Sequence, residues 1–184
     1  MAENELKQII SKLGSLKSSD LPQAQPLLSR AKLCLLHLNA LIPSEETSSQ
    51  HAGLARDVLE LGAFISIKLR DTDSFTRYFQ QLQPFYTLSS SSQSRRQSKQ
   101  SKVTGLYLLL LLSIGDYAGF HTVLEGLEQL EGGKEQIEDD EFIQYPVRLE
   151  QALMEGSYDR VWGETKGERV PSEEFAIFSE VSMH

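Results

Sequence analysis

Apolar residues recur every three or four positions in successive segments of this 184-residue chain, a spacing typical of amphipathic helices. The pattern runs from Leu6 to Leu16, from Leu27 to Leu38 and from Leu54 to Leu69. Alternating runs of β-branched residues bounded by turn residues are missing before the C-terminus. The leucine-rich run from Leu106 to Leu112 predicts a buried helix and is too short to span a membrane. The sequence therefore predicts an all-α protein without a membrane segment.

Three short corners separate helical segments at similar intervals. They are 73–75, 115–117 and 156–158, whose aromatic residues are 42 and 41 positions apart. Glycine can adopt the left-handed backbone that ends a helix, and Asp or Ser can cap the helix that follows. Repeats of this length are typical of helix pairs that complete their core by stacking, so we expect a right-handed superhelix of TPR/HEAT-like hairpins. The predicted structural corner residues are Phe75, Gly115, Asp116, Tyr117, Gly156, Ser157, Tyr158 and Trp162.

The charge of the chain is unevenly distributed. The net charge is −8, and residues 1–124 hold 13 Lys+Arg against 10 Asp+Glu (+3), whereas residues 125–184 hold 5 against 16 (−11). This balance supplies no basic face for general nucleic-acid binding. The acidic part fits two interpretations, solubility alone or contact with a basic partner surface.

The single cysteine, Cys34, lies among leucines and is expected to be buried. The charged N-terminus favours a cytoplasmic or nuclear protein.

No pattern predicts a catalytic, metal or cofactor site. The four histidines have no partner at a metal-ligand spacing, and phosphate-loop, dinucleotide and nucleophile-elbow motifs are missing. The acidic run 138–141 lacks the glycine of a calcium loop and favours the start of a helix. An enzyme that uses His121 with a carboxylate from this run is a minor alternative, because the sequence shows no positioned partner. We expect no cofactor and no small-molecule substrate.

The segment "FIQYPVRLEQALMEGSYDRVW", Phe142 to Trp162, resembles the signature stretch of the subunit 12 family of the 26S proteasome regulatory particle lid. The upstream segments Leu59–Tyr86 and Leu106–Leu127 are similar to the preceding helices of that family. The resemblance implies a PCI-class protein with a helical-repeat arm over residues 1–170. It also implies that residues 171–184 begin the linker helix toward a winged-helix domain, which we expect to be absent from this chain.

The same resemblance implies a non-catalytic scaffold subunit that supports lid assembly in ubiquitin-dependent protein degradation. Its expected partners are other lid subunits and a neighbouring ubiquitin receptor, without nucleic acid or membrane. An alternative within the PCI class is a subunit of a paralogous complex, either the signalosome or a translation initiation factor. The stretch "MEGSYDRVW" favours the proteasome.

Overall fold

The structure is a computed structural model that describes residues 2–16, 18–42, 44–88, 99–129, 133–165 and 175–176. Throughout these ranges the regular secondary structure is helical, and none of it is strand. The all-α fold class predicted from apolar periodicity is therefore confirmed. The chain divides into two compact units, Met1–Gln100 and Ser101–His184.

The first unit is built around one central helix. Its helices are α1 (Ala2–Ser15), α2 (Leu21–His37), α3 (Ser49–Lys68) and α4 (Thr72–Leu88), with a 3₁₀ turn at Ser18–Asp20. Helix α3 packs against α1, α2 and α4, and it is buried around most of its circumference between Ala55 and Ile67. Burial of apolar side chains on this scale is the main stabilising term in a helical unit. Cys34 of α2 is buried, as predicted.

The second unit continues the helical pattern. Its helices are α5 (Gln100–Ser113), α6 (Tyr117–Glu128), α7 (Gly133–Asp139), α8 (Glu141–Met154) and α9 (Tyr158–Thr165). Leu108 and Leu111 of α5 form a core with Phe120 of α6 and Ile143 of α8. The leucine-rich run is therefore a buried helix, as predicted. Phe175 is also buried, with its ring centroid 5.7 Å from those of Phe142 and Tyr145.

The predicted division of the chain at residue 170 stays a prediction. Of the predicted linker segment 171–184, only residues 175–176 are described, and both are helical. The remainder of that segment lies outside the described residues.

Candidate functional site

Four corners in the described part of the chain end with the same backbone motif. The second residue after each helix has a positive φ, and the N–H of the residue that follows it donates to the carbonyl five residues earlier, which is the arrangement of a Schellman motif. The residues with positive φ are Asn39 (52°), Arg70 (59°), Gly115 (76°) and Gly156 (69°). The corresponding N–H donors and carbonyl acceptors are Ala40 and Leu35 (2.9 Å), Asp71 and Ser66 (2.8 Å), Asp116 and Leu111 (2.9 Å), and Ser157 and Ala152 (3.0 Å).

Helix caps identify equivalent positions at two of these corners. The carboxylate of Asp71 accepts a hydrogen bond from the Ser74 backbone N–H at 3.1 Å, and that of Asp116 accepts one from the Gly119 N–H at 2.9 Å. Such caps satisfy N–H groups that have no partner within the helix. Asp71 and Asp116 are therefore equivalent positions.

The structural register differs from the predicted one at the corner before α4. The buried residue four positions after the capping residue is Phe75 in α4, Phe120 in α6 and Val161 in α9. In each case its backbone N–H donates to the carbonyl of that capping residue. The sequence pattern had instead matched Phe75 with Tyr117 and Tyr158. The reason is Arg70, which takes the left-handed conformation that glycine takes at the other two corners.

The predicted corner residues therefore occupy different environments. Phe75 is fully buried, whereas Tyr117 is 36% exposed and Trp162 is 55% exposed. Tyr158 is the first residue of α9, and its side chain lies outside the described part of the structure. The aromatic residues at the corners thus do not share one packing role.

His121 contacts a carboxylate, although not one from the predicted acidic run. Its Nε2 lies 3.1 Å from Oε1 of Glu150 in α8, and its ring packs edge-on against Phe120. The Glu150 side chain is 9% exposed and that of His121 is 55% exposed. This pair ties α6 to α8.

The acidic run 138–141 is divided between the end of α7, at Glu138 and Asp139, and the start of α8. The carboxylate of Asp140 accepts a hydrogen bond from the Phe142 N–H at 3.0 Å, and Glu141 lies in the first turn. Negative charge is favourable at this end of a helix. Among the residues that the structure describes, no group of three or more His, Cys, Asp and Glu side chains is placed to hold a metal ion.

A buried carboxylate in the first unit was not predicted. Glu60 of α3 accepts a hydrogen bond from the Tyr86 hydroxyl at 2.9 Å and bonds from the Lys99 backbone N–H at 3.2 and 3.3 Å. Burial raises the pKa of the Glu60 carboxyl, and these hydrogen bonds oppose that effect. Burial also raises the pKa of Asp57, one turn earlier. Glu60 thus joins α3, the end of α4 and the residue before α5.

Large apolar side chains are exposed in both units. In the first unit they include Leu33, Leu36 and Ile42, and in the second Ile114, Tyr117, Leu153, Met154 and Trp162. Where such side chains form a contiguous patch on a folded protein, they mark an interaction site. In the part of the chain with described coordinates, no helix has the length and apolar character to cross a membrane.

Comparison with known proteins identifies related chains. Residues 98–180 match the model of the CSN8/PSMD8/EIF3K family. The 26S proteasome regulatory subunit RPN12 of Saccharomyces cerevisiae is 32% identical over 169 residues, which are 90% of this chain and 60% of that protein. The regulatory subunit rpn12 of Schizosaccharomyces pombe is 36% identical over 156 residues, 85% of this chain and 53% of that protein. The non-ATPase regulatory subunit 8 homolog A of Arabidopsis thaliana is 36% identical over 138 residues, 73% of this chain and 49% of that protein.

The helical hairpins and their repeated corners define an all-α protein of the PCI helical type. Within that class, residues 98–180 match the CSN8/PSMD8/EIF3K family, and similarity to the relatives at 32% and 36% identity extends over most of the chain. It spans about half the length of the curated relatives that it matches, from 49% to 60% of the three described above.

Proposed function

We propose that this chain is the helical-repeat part of a non-catalytic subunit of the 26S proteasome regulatory particle lid. In this role it acts as a scaffold that supports lid assembly through protein–protein contacts in ubiquitin-dependent degradation. The observation that carries the proposal is its similarity to RPN12 of S. cerevisiae over 90% of its own length.

The partners follow from the same proposal. They are other lid subunits and a neighbouring ubiquitin receptor, and the sites of action are the cytoplasm and the nucleus. The exposed apolar side chains at Ile114 and Met154 support a role that works through surface contact, because such side chains gain free energy when a partner covers them.

A non-catalytic role also fits the contacts of His121. This side chain bridges α6 and α8 through Glu150, and it packs against its neighbour Phe120. Both contacts stabilise the second unit. The related proteins are named as regulatory subunits, which supports the same interpretation.

The paralogous alternative is less well supported. The matched family includes CSN8 and EIF3K branches, but the individual relatives described above are all named as 26S proteasome subunits. Similarity across most of this chain therefore favours the proteasome branch.

Affinity purification of the tagged protein from its own cells tests the proposal. We expect lid subunits to be recovered in amounts comparable to the tagged chain. Recovery of signalosome or translation initiation factor subunits in their place would assign the chain to a paralogous complex. Recovery of no lid subunit would falsify the proposed role.

A further inference from the structure

Four exposed apolar side chains lie at one end of the second unit. They belong to the corner between α5 and α6 and to the last turn of α8. We name them the corner patch: Ile114 (67% exposed), Tyr117 (36%), Leu153 (37%) and Met154 (56%).

The register of α6 against α8 brings the two parts of the patch together. The start of α8 lies beside the start of α5, because a Cβ at Gly105 would stand 2.3 Å from the carbonyl oxygen of Phe142, and further along α8 Glu150 reaches His121, nearer the corner between α5 and α6. Helix α8 therefore runs toward that corner, opposite to α6. The 3.1 Å contact between His121 and Glu150 fixes their register. Tyr117 lies one turn before His121, and Met154 lies one turn after Glu150. Because side chains four residues apart share a helix face, Tyr117 and Met154 extend the same interface to its exposed edge.

The corner itself does not require apolar side chains at these positions. The position of Met154 is occupied by His37, Lys68 and Ser113 at the other corners, and the position of Ile114 is occupied by Leu38, Leu69 and Glu155. All of these corners form the same backbone hydrogen bonds. The turn therefore does not require an apolar side chain at either position, and binding accounts for those that are exposed.

Charge indicates the chemistry of the partner. The second unit holds 6 Lys+Arg against 17 Asp+Glu over residues 101–184, a balance of −11. Asp116 and Asp159 place carboxylates in the corners that carry the patch, and Glu155 is paired there with Arg160. An acidic surface around apolar side chains attracts a partner whose basic residues surround an apolar face. The sequence alone left open whether the acidic charge serves solubility or a partner, and the apolar patch within the same unit favours a partner.

We propose that the corner patch is a docking surface for an amphipathic helix of a partner protein that carries Lys or Arg beside its apolar face. A helix of this kind places apolar residues on one stripe and basic residues on its flanks, which matches an apolar patch with acidic surroundings. The proposal rests on the proposed function, because it names the kind of surface through which the scaffold contacts a neighbour.

A synthetic helical peptide with leucine on one face and lysine on the other provides the probe. Its affinity for the full 184-residue chain is measured by fluorescence anisotropy, and a leucine–glutamate peptide of the same pattern is the charge control. The test variant combines Ile114→Ser with Met154→Ser. The matched control combines Leu33→Ser with Leu36→Ser, which removes two leucines of comparable exposure (58% and 57%) from the first unit.

We expect the leucine–lysine peptide to bind the wild-type chain and the Leu33/Leu36 variant equally. The Ile114/Met154 variant should bind it about tenfold more weakly, as expected when central apolar contacts are removed. Binding should weaken as sodium chloride rises from about 50 to about 500 mM, and the leucine–glutamate peptide should not bind. Equal binding of the lysine peptide to both variants, or of both peptides to the wild type, overturns the proposal. Thermal melts of all proteins show whether the substituted chains remain folded.

Three further outcomes separate this proposal from its alternatives. If sedimentation shows that the wild-type chain self-associates and the Ile114/Met154 variant does not, the patch binds a second copy and the helix proposal is wrong. In cells, recovery of lid subunits by the wild type and by the Ile114/Met154 variant alike removes the docking role but leaves the proposed function intact. Loss of lid recovery by the wild type itself removes the proposed function, and the peptide measurement then decides the docking proposal by itself.

Discussion

Gly62 of α3 lies so close to the phenol ring of Tyr78 in α4 that a Cβ on residue 62 would stand 2.6 Å from Cε1 and Cζ of the ring. Tyr78 is itself buried, and the ammonium of Lys32 lies 4.5 Å from its centroid. The absence of a side chain at Gly62 therefore sets how closely α3 and α4 pack.

Gly62→Ala should destabilise the protein because the new methyl group must displace the ring of Tyr78. We expect a loss of about 1–3 kcal/mol in the free energy of unfolding, which is typical of overpacking. Gly53→Ala is the matched control, since it lies on the same helix and a Cβ there meets nothing within 4 Å. That control should leave stability unchanged or raise it by about 0.5–1 kcal/mol through helix propensity. Urea denaturation of both variants checks the pair, and equal stabilities would contradict the packing account.

Gly105→Ala should be more harmful than the change at Gly62. A Cβ at residue 105 would stand 2.3 Å from the backbone carbonyl oxygen of Phe142 and 2.9 Å from Cζ of Phe175. Backbone moves less readily than a side chain, so we expect the loss to reach or exceed the upper end of about 1–3 kcal/mol. Gly126→Ala is the control, because that glycine of α6 has open space around it. Melting temperatures of the two variants measured side by side provide the comparison.

Phe120→Ala and Tyr117→Ala together test the structural register of the corners. Phe120 is fully buried, and its removal should cost about 3–5 kcal/mol. Tyr117 is 36% exposed, so its removal should cost about 1 kcal/mol or less. The register predicted from the sequence matched Tyr117 with Phe75, which is fully buried, and therefore implies a large loss for Tyr117→Ala. Chemical denaturation of both variants measures the two losses.

Glu60→Gln should change how stability depends on pH. Burial raises the pKa of Glu60 above its ordinary value of 4.5, so the folded protein binds this proton more tightly than the unfolded chain does. Stability therefore falls as pH rises from about 4.5 through the raised pKa, where the buried carboxyl ionises. Glutamine cannot ionise, and its carbonyl oxygen can still accept the bonds from Tyr86 and Lys99.

The comparison of wild type and Glu60→Gln isolates this carboxyl. We expect the stability of the wild type to fall relative to that of the variant as pH increases above about 4.5, because only the wild type acquires a buried charge. Asp57 stays in both proteins, and in the wild type its charge adds to the rise in the pKa of Glu60. Urea denaturation from acidic to neutral pH measures the difference. Parallel profiles would contradict a raised pKa at Glu60.

The helices were predictable because apolar periodicity reports directly which face is buried. Leu6, Ile9 and Leu13 of α1 form such a stripe, and all three are buried. The leucine-rich helix α5 was also predictable, since a helix that is apolar around its circumference must be enclosed. Gly115 and Gly156 marked two corners because glycine adopts positive φ without a steric penalty.

The remaining features depend on contacts between segments that are distant in sequence. Arg70 carries a side chain that disfavours positive φ, so local preference gave no reason to place a corner there. Glu60 stands between Leu59 and Leu61, and its hydrogen bond to Tyr86 appears only when α3 and α4 pack. The corner patch likewise requires the pairing of His121 with Glu150, which no spacing along one helix reveals.

The main-chain closure of the corners has an evolutionary consequence. Because backbone atoms form the bonds of each turn, the bend accepts Leu-Arg at 69–70, Ile-Gly at 114–115 and Glu-Gly at 155–156. Mutation can therefore alter the exterior chemistry of a bend without altering its path. Descendants of one ancestral hairpin can diverge in what they recognise while they retain the same architecture.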